Sequence, residues 1–251
     1  MNSNYQYRMH VPMTPMVKNL LIVNLVVWLL FQVILEGYFS IPFTRFFALY
    51  PGKVIFDFSI WQLLSYMFLH SISVSHILMN SLMLWFIGAD LEIRWGKKFF
   101  LFFYLVTGVG AAVIYCMAVA GYFYATGNQS SLTTPVVGAS GAIFGILLAY
   151  GMLFGERTMS FMMLFPMKAK HFVILLGAVE IMTLLSSGVM GGEVANLAHL
   201  GGLASGWLVL MGWARYQRTL QNKQNKPKKA GSLRLVVDNE KKDNKEPRYW
   251  N

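Results

Sequence analysis

Charge is what this chain has least of. Only 13% of its 251 residues are Asp, Glu, Lys or Arg, against 56% hydrophobic ones. A soluble domain carries about 25% charged residues, so that class is excluded. Acidic residues are scarcer than basic ones, 11 against 21. A single cysteine, Cys116, excludes an intrachain disulfide; it lies in an apolar run and reads as a packing residue. No Cys/His cluster has metal-ligand spacing and no glycine-rich loop follows a strand, so neither a metal nor a nucleotide cofactor is indicated. Internal repeats are absent. A cleavage site is missing too: after the first apolar run stands Leu35-Glu36-Gly37-Tyr38, so that run reads as a retained span.

Long apolar segments are what the chain does have. Six occur, at about 18–37, 73–90, 98–120, 137–155, 170–188 and 195–213. A helix needs roughly 20 such residues to cross the hydrocarbon core. The expected fold is an all-α membrane protein with six transmembrane helices. It comprises a cytoplasmic N-terminal segment (1–17), a six-span domain (18–213) and a basic tail (214–251). The stretch 54–70 is also apolar, but Asp57, Trp61 and Tyr66 suit interfacial helices in a long first loop.

The basic residues set the orientation. Nineteen of the 21 fall before the first span, between spans two and three, between spans four and five, or after the sixth; only Arg45 and Lys53 fall on the other side. The positive-inside bias puts both termini in the cytoplasm of a multi-pass protein. Short loops favour a bacterial inner membrane, with organellar membranes as the alternative. From Arg215 onward the tail carries eleven basic and four acidic residues. It reads as a disordered cytoplasmic segment drawn to anionic lipid headgroups. No folded nucleic-acid module accompanies the charge, so nucleic acid is not an expected partner.

In this orientation the polar residues share one depth. His76 and Asn80 lie in the outer part of span two, Ser140 opens span four, and Asn196 and His199 lie early in span six. His76 and Asn80 are four apart and so share a helix face, as do Ser140 and Phe144. Gly141 with Gly145, and Gly202 with Gly206, form two small-xxx-small faces, and His199 lies on the latter. Pressing spans four and six together along these glycines brings Ser140 to His199. The glycines alone imply packing. The chemistry comes from the pairing: a serine hydroxyl becomes a nucleophile when a base takes its proton, and His199 is the one histidine in span six. No Asp or Glu is expected beside it, which makes a dyad, with Phe144 stacked on the imidazole and Asn196 nearby. Donors for a developing oxyanion are at hand in the Ser140 and Gly141 amides at a helix start, in His76 and in the Asn80 amide.

These motifs together resemble the rhomboid family of intramembrane serine proteases. Gly138-Ala139-Ser140-Gly141 resembles the G-x-S-G nucleophile motif of its fourth core helix. Ala198-His199-Leu200-Gly201-Gly202 resembles the base motif of the sixth, and His76-Ile77-Leu78-Met79-Asn80 the H-x-x-x-N of the second. The resemblance implies a six-helix rhomboid-like bundle, no cofactor, and transmembrane proteins as substrates, cut within or next to their membrane helix. Two residues depart from the family pattern. Trp61-Gln62 stands where the family often has Trp-Arg, so a loop hydrogen-bond network is expected to differ. Phe144 stands where Tyr is frequent, keeping ring stacking without the hydroxyl.

Competing readings are a non-catalytic rhomboid-like protein that binds transmembrane segments, and a transporter. The first typically lacks a dyad member, and both are present here. The second is disfavoured by spans without charged residues lining a path. Glu180, an intramembrane carboxyl inside span five, is by default a functional candidate that could in principle orient a histidine; it is expected deeper than His199, hydrogen-bonded inside the bundle and structural. His70 is expected in the first loop near the surface.

Overall fold

The computed structural model describes residues 12–161, 165–191 and 195–224. The chain divides into two compact units, Met1–Trp213 and Ala214–Asn251. The apolar helices that carry the site belong to the first.

Helix α1 runs Pro15–Val26 and widens into a π-helical stretch, Val27–Glu36. Pro15 suits the first turn, where no amide donor is needed. The buried carboxylate of Glu92 closes this end, accepting from the Thr14 hydroxyl (2.5 Å) and the Met16 and Val17 amides (2.9 Å each). A carboxylate there satisfies orphan amides and complements the helix dipole.

The first loop holds short helices, α2 (Phe43–Phe47), α3 (Pro51–Phe56) and α4 (Gln62–Ser65), the last running into a 3₁₀ turn, Tyr66–Phe68. Gln62 is buried and ties this loop together. Its amide oxygen accepts from the Tyr50 amide (3.0 Å) and its amide nitrogen donates to the Phe46 carbonyl (3.2 Å). The loop network thus exists with a neutral residue at the position where the family often has Arg.

Helices α5 (Val74–Trp95) and α6 (Lys97–Thr126) are joined at Gly96, whose φ of +78° favours glycine. After α7 (Ser130–Thr133) comes α8 (Ser140–Leu153). An antiparallel hairpin follows, β1 (Thr158–Phe161) with β2 (Phe165–Lys168), which the sequence reading did not anticipate. Helices α9 (Ala169–Gly191) and α10 (Ala195–Gln224) complete the order. The helix thus continues past Trp213 to Gln224, so the expected disordered tail does not begin at 214; residues 225–251 of that reading lie outside the described residues.

Among the described residues, five helices are long and apolar enough to cross a membrane, which makes this a multi-pass membrane protein. The fourth expected span is shorter, because the chain enters it in extended form. Val136 pairs with Leu49, and Gly138 turns at a φ of +126° before α8 starts at Ser140. Fourteen residues reach about 21 Å, against about 30 Å of hydrocarbon. The far end of α8 is marked by charge: Arg157 pairs with Asp90 (2.6 Å), and Glu156 with Lys168 (2.6 Å) and Lys170. With that end at one membrane face, Ser140 lies recessed from the other.

Small residues let α8 sit at the centre of the bundle. Gly145 packs on Thr107 of α6, Gly151 on Val173 of α9, and Gly206 of α10 on the Gly145 backbone. Around it, Tyr66, Tyr104, Tyr115, Phe100, Phe103 and Ile146 are fully buried.

Candidate functional site

The start of α8 is built to leave donors unspent. Its N-cap is Ala139, which has no side-chain acceptor to offer the first turn. The first helical bond there runs from Ile143 to the Ala139 carbonyl (3.0 Å), so the Ser140 and Gly141 amides lie ahead of it. The preceding turn is fixed to the first loop by the Gly138 amide, which donates to the Tyr66 carbonyl (3.0 Å).

Ser140 and His199, 59 residues apart, meet here: His199 Nε2 lies 2.8 Å from Ser140 Oγ. The contact depends on the glycine faces. A β-carbon on Gly202 would overlap the Gly141 carbonyl, and one on Gly206 would come within 2.9 Å of Gly145 Cα. Phe144, one turn along α8, stacks on the imidazole with ring centroids 4.3 Å apart and planes 9° from parallel. Stacking therefore needs no tyrosine hydroxyl. Asn196 is buried in the first turn of α10, one turn before His199.

His76 closes the other side of the space. A β-carbon on Gly138 would lie 2.9 Å from His76 Nε2 and 3.6 Å from Ser140 Oγ, so both groups border the same small volume. The ring's tautomer follows from its neighbours. The Ser71 amide donates to His76 Nδ1 (3.1 Å), with Ser71 Oγ 3.0 Å from the same nitrogen. An Nδ1 that accepts leaves the neutral ring's hydrogen on Nε2, facing the Ser140 side. Asn80 is buried, and its amide donates to the His76 carbonyl (2.9 Å). Among the described residues it makes no hydrogen bond to Ser140 or His199, so it braces the turn that carries His76.

Two residues sit differently from expectation. His70 is buried, 1% exposed, and its ring meets that of His76 edge-on at 5.3 Å. Burial, then the neighbouring His76, pushes its pKa down to about 4. Its backbone is clasped by Gln32 of α1, whose amide oxygen accepts from the His70 amide (2.8 Å) and whose nitrogen donates to the His70 carbonyl (2.5 Å). Trp28 donates to the Ser71 carbonyl (3.0 Å). The π-helical continuation of α1 thereby holds the loop segment, His70 and Ser71, that sets the His76 tautomer. The one sequence signal was Gln32 itself, a glutamine inside an apolar run.

Glu180 is the larger correction. Its Oε1 lies 3.0 Å from His199 Nδ1, with side chains 14% and 16% exposed. The carboxylate sits off the line of the ring N–H, so the two are in contact without an aligned hydrogen bond. Such looseness is common before substrate is bound. Glu180 lies eleven residues before the end of α9 and His199 four after the start of α10. Two helices aligned at that end would separate them by about 10 Å in depth, at 1.5 Å per residue. α9 is instead staggered against α10, which brings the carboxylate level with the imidazole.

A multi-pass helical membrane protein with a recessed serine paired to a histidine is the class that fold and site define. Residues 57–217 match the Rhomboid domain family model, and the chain belongs to the rhomboid family. It is 30% identical over 196 residues to RHOMBOID-like protein 1 of Arabidopsis thaliana, covering 77% of this chain and 45% of that one. Rhomboid protease GlpG of Serratia proteamaculans is 28% identical over 153 residues, 60% of this chain and 47% of the other. Rhomboid protease GluP of Bacillus subtilis is 31% identical over 147 residues, 59% and 25% respectively. The chain thus spans less than half the length of these curated relatives.

Proposed function

We propose that this protein is an intramembrane serine endopeptidase that cleaves membrane-anchored proteins within or next to a transmembrane helix. The observation that carries this reading is the 2.8 Å contact between His199 Nε2 and Ser140 Oγ at a recessed helix start. Membership of a family that includes named proteases supports it.

In this mechanism Ser140 Oγ attacks the scissile carbonyl carbon while its proton passes to His199 Nε2. The carbonyl oxygen becomes an oxyanion, met by the Ser140 and Gly141 amides and by His76 Nε2–H. The C–N bond breaks, His199 gives its proton to the leaving amine, and an acyl-serine remains. Water then attacks the acyl carbon, with His199 taking its proton and returning it to Ser140, and the new carboxyl end departs. Phe144 and Gly202 hold the histidine in place, Asn80 supports His76, and Asn196 supports the start of α10. Neither metal nor cofactor takes part in any step. A helical substrate shields its peptide bonds, so a segment that unwinds near the cut is the favoured substrate.

The domain from 18 to 213 carries this activity in a cell inner membrane, with both termini cytoplasmic and the basic tail on anionic headgroups. Purified protein in detergent, given a fluorogenic transmembrane peptide, is expected to cleave it, and Ser140→Ala to leave it intact. Equal cleavage by both, or by neither, would overturn the reading.

A further inference from the structure

A carboxyl group in a membrane-spanning helix is costly, and its position calls for a reason. Glu180 has one oxygen, Oε1, against His199 Nδ1; its other oxygen has no hydrogen-bond partner among the described residues. The other carboxylates with assigned contacts, Glu36, Asp90, Glu92 and Glu156, are committed elsewhere: to Thr44, to Arg157, to the start of α1, and to Lys168 and Lys170. His199 is therefore bounded on three sides: Ser140 at Nε2, Phe144 on the ring face and Glu180 at Nδ1.

The chemistry of the base needs something at that third side. To accept the Ser140 proton, Nε2 must be bare, so the neutral ring must carry its hydrogen on Nδ1. In water either nitrogen may hold it; an acceptor at Nδ1 selects the useful tautomer. When Nε2 takes the proton the ring becomes a cation, and a carboxyl oxygen 3.0 Å from Nδ1 is placed to stabilise it.

We infer that Glu180 is a positioning residue that holds His199 in the Nδ1–H tautomer, turning the Ser140–His199 pair into a Ser-His-Glu relay drawn from three helices. This rests on the proteolytic reading above, but its structural half does not, and the two are separable by experiment. The bland alternative is a polar tie for α9, the least buried of the five long spans. Such a tie would alter unfolding and leave the histidine's proton where it was.

Histidine labelled with ¹⁵N reports the tautomer directly. In detergent-solubilised native protein, the resonances lost in His199→Gln should show Nδ1 protonated and Nε2 bare. Glu180→Leu, which removes the acceptor, should shift the population toward the Nε2–H form. Glu180→Gln keeps an acceptor and removes the charge. It should lower kcat on the transmembrane peptide by about 10²-fold, with KM within about twofold. The soluble precedent is about 10⁴ for the corresponding neutral substitution, and Phe144 stacking shares the load here. Native kcat in Glu180→Gln, or a native His199 protonated on Nε2, would overturn the inference, and so would a changed unfolding midpoint with the tautomer unmoved. A native protein that cleaves nothing would sink the proteolytic reading instead, while the tautomer shift in Glu180→Leu would still decide the contact.

Discussion

In the proposed mechanism His76 acts through one hydrogen, and the contacts of Ser71 with Nδ1 decide where that hydrogen sits. With Nδ1 engaged by the Ser71 amide at 3.1 Å, the Nε2–H is aimed at the space beside Ser140. Loss of one oxyanion donor costs on the order of 10²-fold in kcat in a soluble serine protease. His76→Ala should fall near that figure, while still reacting with a phosphonate probe at Ser140; kcat at the native rate would remove His76 from the oxyanion site. His70, six residues upstream in the first loop, makes a different prediction. Its folded pKa of about 4 lies below the ordinary 6.5, so the unfolded chain binds the extra proton first. Stability is full above about pH 6.5 and is lost as pH falls toward 4, by about 3 kcal/mol at 1.36 kcal/mol per pKa unit. His70→Phe should flatten that part of the unfolding-midpoint profile relative to native protein; parallel profiles would contradict it. The sequence made Ser140, His199 and His76 readable because each sits in a spaced motif. The Gln32 clasp was not readable, because it is made to backbone atoms, which carry no residue signature.

At the scale of elements, the decisive contact is α8 against α10. Gly202 faces the Gly141 carbonyl with no room for a β-carbon. Gly202→Val must push α10 outward and carry His199 with it. A displacement of about 1 Å costs roughly 10²-fold in rate. Turnover should drop at least that far, whereas Leu208→Val, on an exposed face of the same helix, should leave it within about twofold. If Gly202→Val keeps the native rate, close glycine packing is not what sets the Ser140–His199 distance. Here the sequence was informative: two glycine pairs at a spacing of four announced the contact before any coordinates. It was misleading about α8's length and about Glu180. Apolar residues 136–138 look like helix, but the pairing of Val136 with Leu49 and the positive φ of Gly138 keep them out of it. Counting residues from the α9–α10 connection assumes the helices are level, and they are staggered.

At the scale of the whole chain, the candidate site residues all precede Trp213 and the basic residues of the tail all follow it. Truncation after Gln224 removes eight of the eleven basic residues from 215 onward, Lys226 through Arg248, keeps Arg215, Arg218 and Lys223, and touches no group in the site. Cleavage of a detergent-soluble peptide should be unchanged. Binding to vesicles rich in anionic lipid should weaken, and the difference should shrink as salt is raised. That the chain is a helical, multi-pass membrane protein was legible in its composition and apolar runs. How the first loop threads between α1 and α8 was not, since it turns on hydrogen bonds such as Gly138 to Tyr66. The most direct measurement is labelling with a fluorophosphonate, followed by mass spectrometry of the modified peptide. We expect one adduct, on Ser140 Oγ, and none in His199→Ala protein that remains folded in detergent. An adduct at another residue, or undiminished labelling without His199, would show that Ser140 is not a nucleophile activated by His199.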